Sequence, residues 1–186
     1  MRVIAGSAKG IKLASVPGKS TRPITDQVKE ALFNIIGFDV EGKTFLDLFG
    51  GTGAVGIEAL SRGAEHAVFL DINYQAYKVI QNNLSITNLA QYATTYKMDA
   101  FTYLREGEKR IYDFIYIAPP QYRSIWEKAM ATLDDNPGWT GDESTVIVQI
   151  HPKEFKEELT YTKYSEYDRR FYGDTMLVFY ECLSSD

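Results

Sequence analysis

Three acidic residues and one glycine-rich turn are the features of this 186-residue chain that are best suited to hold a ligand. The turn at residues 50–53 reads Gly-Gly-Thr-Gly, and glycines let a backbone turn tightly and approach a ligand closely. Asp47 precedes the turn, and its negative charge suits a cationic ammonium group. The carboxylate of Asp71 can accept hydrogen bonds from both hydroxyls of a ribose, and that of Asp99 suits the amino group of an adenine.

A second group of candidate residues surrounds two consecutive prolines. The chain reads Ala118-Pro119-Pro120-Gln121-Tyr122 directly after an apolar run. Two successive prolines fix the backbone and remove two N–H donors, so nearby carbonyl groups stay available as acceptors. For the proline pair alone, a structural stop after a strand is the simpler interpretation.

Both groups follow predicted strands. Short apolar runs alternate with helical patterns along the chain. The predicted strands cover 44–48, 66–72, 93–98, 112–117 and 145–150. The predicted helices cover 54–61 and 74–85, a short segment from 100, and 123–133. Five such strands imply a doubly wound, mainly parallel sheet, which binds ligands beyond the carboxyl ends of its strands where the strand order reverses. Residues 160–167 and 176–182 are two further strand-like runs without a helix between them. They predict an antiparallel edge pair, and thus a seven-stranded α/β fold.

The N-terminal segment precedes this alternation. Residues 2–5 and 11–16 predict a short β-hairpin, and residues 26–36 predict an amphipathic helix with Thr25 as its N-cap. Residues 1–23 hold five basic side chains and no acidic one, whereas the rest of the chain holds 15 basic and 25 acidic ones. A basic segment on an acidic body favours a polyanionic partner. A solvated surface hairpin with chance charge is equally compatible with this pattern.

Length and composition narrow the class of protein. Apolar residues make up 45% of the chain and charged residues 24%, which is typical of a folded protein and not of a disordered one. The length suits a single domain over 1–186, with 1–36 as an extension and 43–186 as the core. No apolar run approaches the roughly 18 residues that span a bilayer, and Cys182 is the only cysteine, so we expect a cytoplasmic protein. We predict no metal site, because the two histidines have no partners at ligand spacing.

The glycine-rich turn also fits a second class of ligand. Gly51-x-Gly53-x-x-Gly56, with an acid 20 residues after the first glycine, matches the fingerprint of nicotinamide dinucleotide-binding domains. Three features disfavour this interpretation. Asp47 would repel a diphosphate placed at the turn, Asp99 suits the amino group of an adenine, and no second domain is left for an oxidisable substrate. Acids at three successive strand ends instead fit a nucleoside with an amino-acid tail, and S-adenosyl-L-methionine is such a ligand.

The same residues resemble motif I of the class I S-adenosylmethionine-dependent methyltransferases. The match reads Asp47-x-Phe49-x-Gly51-x-Gly53, and Asp71 and Asp99 stand where that class has its ribose-binding and adenine-contacting acids. The resemblance implies a Rossmann-like class I methyltransferase fold with S-adenosyl-L-methionine as cofactor. The residues that it implies for cofactor binding are Asp47, Phe49, Gly50, Gly51, Gly53, Asp71, Ile72, Asp99 and Ala100.

A longer motif resembles the RsmD family, whose members methylate the exocyclic N2 of a guanine in small-subunit (16S) ribosomal RNA. It reads Thr21-Arg22-Pro23-x-Thr25-Asp26-x-Val28-x-Glu30-Ala31-Leu32-Phe33-Asn34-Ile35, and residues 1–6, 60–64 and 172–175 also match. The resemblance implies an rRNA (guanine-N2) methyltransferase that acts, as a monomer, on small-subunit rRNA or on the assembling small subunit. It also favours phosphate contacts by the basic segment, which position RNA without reading bases, through Arg2, Lys9, Lys12 and Arg22.

The motif after the fourth strand departs from the family pattern. That pattern resembles Asp/Asn-Pro-Pro-Tyr, in which the polar residue accepts a hydrogen bond from the target amine and the aromatic residue stacks on the extruded base. Here Ala118 has no side-chain acceptor and Tyr122 comes one place late. We expect the backbone carbonyls of Ala118 or Pro119, with Gln121 or Tyr122, to replace the missing groups. The expected catalytic residues are therefore Ala118, Pro119, Pro120, Gln121 and Tyr122.

Three alternative functions stay open at this point. One is a methyltransferase that acts on another amine, either adenine N6 in DNA or RNA or a protein glutamine. The second is a catalytically impaired, RNA-binding ribosome-assembly factor, and the third is a nicotinamide-dependent oxidoreductase. Aromatic and basic residues also alternate over 161–172 and could contact RNA, although packing in the core and edge strand is the simpler interpretation.

Overall fold

The computed structural model describes residues 1–18 and 24–183. In these ranges one sheet contains seven strands: β1 (Thr44–Asp47), β2 (His66–Leu70), β3 (Ala93–Tyr96), β4 (Phe114–Ile117), β5 (Thr145–Ile150), β6 (Tyr164–Tyr172) and β7 (Thr175–Cys182). Their spatial order is β3-β2-β1-β4-β5-β7-β6. The five strands from β3 to β5 are parallel, whereas β7 is antiparallel to β5 and β6 is antiparallel to β7. The predicted mainly parallel sheet with an antiparallel edge pair is thus confirmed.

Helices cover both faces of the sheet. They are α1 (Asp26–Ile36), α2 (Ala54–Ser61), α3 (Tyr74–Ile86), α4 (Ala100–Glu106) and α5 (Ile125–Asp135). One apolar cluster, which includes Leu32, Ile57 and Ile80, packs α1, α2 and α3 on one face. A second cluster, which includes Leu104 and Trp126, packs α4 and α5 on the other face. No helix in the described ranges has both the length and the hydropathy needed to cross a membrane.

The strand order reverses between β1 and β4 in the centre of the sheet. These two strands are parallel neighbours, with Phe45 opposite Phe114 and Asp47 opposite Tyr116. The chain proceeds from β1 to β2 and β3 on one side and from β4 to β5 on the other. Ligands of open α/β sheets bind beyond the carboxyl ends of strands at such a reversal. The residues that follow β1 and β4 therefore share one crevice.

The N-terminal segment doubles back as expected, but it forms one antiparallel bridge in place of a regular hairpin. The bridge joins Arg2 to Lys12, and the two strands predicted over 2–5 and 11–16 are absent as strands. The prediction of a hairpin was therefore wrong in its extent. Backbone hydrogen bonds join Val3 to Ile11 and Gly10, and Leu13 to Met1, but the backbone N–H groups of the two residues after Val3 bind elsewhere.

Those donors bind a buried carboxylate. The backbone N–H groups of Ile4 and Ala5 donate to the two carboxylate oxygens of Glu58 at 2.8 and 3.0 Å. Glu58 is fully buried, forms an ion pair with the equally buried Lys29 at 3.3 Å, and accepts from Arg62 Nε at 2.8 Å. Because a buried carboxylate needs such partners, this network attaches the N-terminal segment to α1 and α2.

The edge strand also differs from its prediction. β6 spans Tyr164–Tyr172, whereas the sequence pattern placed a strand over 160–167. The backbone N–H groups of Thr162 and Lys163 donate to the carboxylate of Asp134 on α5, at 2.9 and 2.7 Å. These residues therefore bind a helix before the chain joins the sheet.

Candidate active site

A cleft of about 550 Å³ opens beyond the carboxyl ends of β1 to β4. It is lined by most of the residues that were predicted to bind the cofactor or the target base: Asp47, Phe49, Gly50, Gly51, Asp71, Ile72, Asp99, Ala100, Ala118, Pro119, Pro120 and Gln121. Gly53 and Tyr122 were also predicted, but they are not part of its lining. The three acids thus face one crevice, together with the proline pair.

The glycine-rich turn owes its shape to backbone conformations that favour glycine. Gly51 has a φ of 56° and Gly53 a φ of 77°, both in the left-handed region. The N–H of Gly50 donates to the carbonyl of Leu70 at 2.7 Å, and the N–H of Gly53 donates to the carbonyl of Gly50 at 2.7 Å. Gly53 therefore shapes the turn from outside the cleft lining, and the turn is fixed to the end of β2.

Asp47 is a buried carboxylate with an unused oxygen. The residue is 2% exposed, and its Oδ1 has no hydrogen-bond partner. Burial raises the pKa of Asp47 to about 7, and the charge of Asp71 adds to this rise, whereas a hydrogen bond from the Phe49 N–H opposes it. An unpartnered buried acceptor that lines a cleft is suited to an incoming cationic donor.

Asp71 connects the end of β2 to the glycine-rich turn. Its Oδ2 accepts from the N–H of Gly51 at 2.9 Å, and its Oδ1 accepts from the N–H of Asn73 at 2.8 Å. Burial raises the pKa of Asp71 above its ordinary value. Each carboxylate oxygen can accept a second hydrogen bond, so Asp71 can still bind a pair of hydroxyl groups. The adjacent Ile72 side chain is 68% exposed and offers an apolar surface at the cleft.

Asp99 both caps a helix and lines the cleft. Its Oδ1 accepts from the backbone N–H of Thr102 at 2.9 Å, so it is the N-cap of α4. It also lines the cleft, beside Met98 and Phe101. The Phe101 ring packs edge-on against Phe49 at a centroid distance of 6.3 Å. This end of the cleft therefore combines apolar surface with one carboxylate, as a purine requires.

The first residues after β4 lie in the cleft, and the next residue lies at the surface. Ala118 to Gln121 line the cleft, but the ring of Tyr122 is 65% exposed and packs against His151 at 5.4 Å. The Tyr122 N–H donates to Glu154 Oε1 at 2.7 Å, and its φ is 62°. This backbone geometry directs the ring away from the cleft.

Two lining residues, Tyr116 and Gln149, were not found from the sequence. Tyr116 is 2% exposed, and its hydroxyl donates to Gln149 Oε1 at 2.5 Å. Two signals could have indicated them: Tyr116 precedes Ala118 by two positions on an extended chain, so both face the same side, and Gln149 interrupts the apolar run of β5. The other lining residues that were not predicted are Ile24, Leu48, Thr52, Ala54, Val55, Asn73, Met98, Phe101, Arg123 and Ile125.

The N-terminal segment contacts the rim of the cleft. Thr52 Oγ1 lies 3.7 Å from Met1 Sδ. The buried side chain of Asn83 accepts from the N–H of Ala14 at 2.8 Å and donates to the carbonyls of Ala14 at 3.0 Å and Thr52 at 2.8 Å. One amide thus joins the segment to the glycine-rich turn.

The basic residues of this segment lie on its surface. Lys9 and Lys12 are exposed, and the Arg2 side chain is 65% exposed, with its Nε 3.8 Å from a carboxylate oxygen of Asp26. Asp26 therefore offsets part of the Arg2 charge. Arg22, the fourth predicted RNA contact, lies outside the described residues.

Comparisons with known proteins identify the family. The family model described as "Conserved hypothetical protein 95" matches residues 1–181. "Ribosomal RNA small subunit methyltransferase D" of Escherichia coli K12 is 32% identical over 149 residues, which are 80% of this chain and 74% of that protein. The chain belongs to the RsmD family. Another relative, "Putative rRNA methyltransferase YlbH" of Bacillus subtilis 168, is 40% identical over 183 residues, which are 97% of this chain and 98% of that protein.

Solved structures of methyltransferases share the fold of this chain. "Putative methyltransferase yhhF" of Escherichia coli has a TM-score of 0.85 at 29% identity, over 100% of this chain and 99% of that one. An RNA methyltransferase of Salinibacter ruber has a TM-score of 0.68 at 13% identity, over 89% of this chain and 96% of that one, and was solved with S-adenosyl-L-homocysteine. At such low identity the second comparison supports the fold alone, which is that of class I methyltransferases.

Proposed function

We propose that the protein is an S-adenosyl-L-methionine-dependent methyltransferase that modifies the exocyclic N2 of a guanine in small-subunit ribosomal RNA. The observation that supports this best is the single crevice in which Asp47, Asp71 and Asp99 surround a glycine-rich turn, in a member of the RsmD family. A substrate in the small ribosomal subunit or its assembly intermediates agrees with the name of the Escherichia coli relative. Such a substrate implies a cytoplasmic location.

The residues of the cleft fit the cofactor. Asp47 Oδ1 is buried without a partner, so the ammonium group of a methionine moiety would satisfy it. Asp71 has lone pairs left for two ribose hydroxyls, and Asp99 with Ile72 offers the polar and apolar surface that an adenine needs. When bound, S-adenosyl-L-methionine supplies a methyl group on a sulfonium centre, which is already a strong electrophile.

The segment after β4 would position the amine. The lone pair of a guanine N2 is delocalised into the ring, so accepting its hydrogen bonds helps to stabilise the charge that develops on it. Ala118 offers only its backbone carbonyl, and Pro119 and Pro120 have no N–H to compete for acceptors. We assign this acceptor role to the carbonyls of Ala118 or Pro119, with Gln121 beside them. Positioning against a reactive electrophile can provide much of the acceleration.

The N-terminal segment would bind the RNA backbone. Lys9 and Lys12 are exposed, and phosphate contacts of this kind position a nucleic acid without reading its sequence. Because Asn83 joins this segment to Thr52 at the cleft, RNA held by the lysines would lie close to the cofactor.

Methylation of immature small subunits tests the proposal. Subunits are isolated from a strain that lacks its own RsmD-family enzyme, incubated with protein and labelled cofactor, and digested for nucleoside mass spectrometry. We expect N2-methylguanosine at a single position, and less of it with the Asp47→Asn variant when the cofactor is below saturation. Label in N6-methyladenosine or in glutamine would support the alternative amine substrates. No label in the presence of measurable cofactor binding would support a non-catalytic assembly factor.

A further inference from the structure

A second cavity of about 220 Å³ lies directly beside the cleft. It is bounded by the first turn of α1, by β5, and by the turn that joins β6 to β7. The side chains of Gln121 and Gln149 line both spaces, so the cleft and the second cavity meet at these two amides. A ligand in the second cavity would therefore present one edge to the cleft.

The walls of this cavity suit a planar, hydrogen-bonding group. Amide groups come from Gln27, Gln121 and Gln149, Asp174 supplies a carboxylate, and Tyr172 supplies an aromatic ring. The volume is below the roughly 300 Å³ at which sites for drug-sized ligands begin, so a single ring system fits it better than a whole nucleotide. Amides both donate and accept, as the edges of nucleobases require. Enzymes that modify bases hold the extruded base by edge hydrogen bonds and aromatic stacking.

Gln149 is held in one orientation by its neighbour. The Tyr116 hydroxyl donates to Gln149 Oε1 at 2.5 Å. Burial and the nearby charge of Asp47 raise the pKa of Tyr116 well above its ordinary value, so this hydroxyl keeps its proton and acts as the donor. This hydrogen bond uses one of the two lone pairs of Oε1 and fixes the amide, so the hydrogens on Nε2 can donate to a ligand. Gln149 is thus a donor at the boundary between the two spaces.

Tyr172 is better placed than Tyr122 to stack on a base. Its ring is partly buried and packs against the apolar cluster beneath α1, and it pairs with Thr175 at the end of the β6–β7 ladder. These contacts hold the ring against the second cavity, which it lines. Tyr122, in contrast, is exposed and contacts His151.

We propose that the second cavity receives the target guanine, with Tyr172 stacking on the ring and the Gln149 amide donating a hydrogen bond to an acceptor on the base. The base then lies with its exocyclic amine toward the cleft, at the boundary formed by Gln121 and Gln149. This inference rests on the proposed function, and it identifies the residues that select the base.

Steady-state methylation by single variants tests the assignment. Tyr172→Leu is expected to lower kcat/KM for immature small subunits about tenfold, within the range for loss of one base–aromatic stack. Gln149→Leu should lower it about tenfold through the lost hydrogen bond. Phe171→Ala is the matched control, because it removes the neighbouring ring of the same strand, which is 61% exposed and outside the cavity. Binding of S-adenosyl-L-homocysteine to every variant, measured by calorimetry, should stay within twofold of wild type.

Two further variants separate direct contact from structural damage. Tyr172→Phe keeps the ring and should restore wild-type kcat/KM. Tyr116→Phe releases Gln149 from its fixed orientation and should cause a smaller loss than Gln149→Leu at saturating cofactor. If wild type methylates guanine while Tyr172→Leu and Gln149→Leu keep wild-type kcat/KM, this inference is overturned and the proposed function stands. A loss with Tyr122→Ala and none with Tyr172→Leu would overturn it as well. No methylation by wild type would overturn both.

Discussion

The buried carboxylate of Asp47 should make cofactor binding depend on pH. Its pKa is raised from an ordinary value of 3.8 to about 7, chiefly by burial. Each pKa unit corresponds to about 1.4 kcal/mol, so ionising this group in the free protein costs on the order of 4 kcal/mol. Because the folded protein holds this proton more tightly than the unfolded chain does, Asp47 contributes to the free energy of unfolding at low pH. This contribution is lost as the pH rises from about 4 to about 7.

A ligand with an ammonium group favours the ionised form of Asp47 over the protonated form. S-Adenosyl-L-homocysteine requires the ionised carboxylate, so below about pH 7 one proton must leave Asp47 on binding. The Kd should therefore fall about tenfold for each pH unit from 5 to 7 and level off above 7. Asp47→Asn removes the titration, so its Kd should vary little with pH. At pH 8 the variant should bind about 10- to 100-fold more weakly, because it lacks a charge-assisted hydrogen bond.

Titration calorimetry of wild type and Asp47→Asn at pH 5, 6, 7 and 8 measures both effects. Repeating each titration in two buffers of different ionisation enthalpy counts the protons released. We expect close to one proton per ligand at pH 5 and close to none at pH 8 for wild type, and none for the variant. A wild-type Kd independent of pH, or equal proton release by the variant, would refute the role given to Asp47.

Three other perturbations test separate parts of the structure. Replacing Lys9 and Lys12 together by Ala should weaken RNA binding, measured by filter binding at several salt concentrations. The slope of log K against log salt should become less steep by about 1.5, since each phosphate contact contributes roughly 0.7–0.9 to it. An unchanged slope would exclude the two lysines as phosphate contacts. Glu58→Leu should lower the free energy of unfolding in urea by about 3–5 kcal/mol because it leaves the buried Lys29 without its ion-pair partner. Lys29→Met should cost less because Glu58 keeps its other donors, and equal losses would contradict this account. Ala118→Asn adds a side-chain acceptor and should raise the single-turnover rate at saturating cofactor several-fold; an unchanged rate would contradict the prediction that a further acceptor here assists the reaction.

The sheet and the cofactor residues could be predicted because they depend on local patterns. Apolar runs alternating with helical periodicity specify parallel strands, and the carboxyl ends of parallel strands share one edge. Asp47 ends β1, Asp71 directly follows β2 and Asp99 comes three residues after β3, so their convergence followed from the strand assignments. The N-cap role of Thr25 also depends on neighbouring residues only, since its hydroxyl accepts from the Val28 N–H at 3.2 Å, as predicted.

What could not be predicted depends on contacts between distant parts of the chain. The hairpin is shortened because Glu58, more than 50 residues away, takes the donors of Ile4 and Ala5. The Tyr116–Gln149 hydrogen bond joins neighbouring strands 33 residues apart. Spacing along one chain contains no information on which buried polar side chains meet, so such pairs are found only in three dimensions.

The crystal structure of the protein with S-adenosyl-L-homocysteine tests the central claim most directly. We predict the ammonium group within hydrogen-bond distance of Asp47 Oδ1, the ribose hydroxyls on Asp71, and the adenine beside Ile72 and Asp99. The sulfur atom should point toward the segment that begins at Ala118. A ligand bound outside the crevice, or one that leaves these three carboxylates without contacts, would contradict the account.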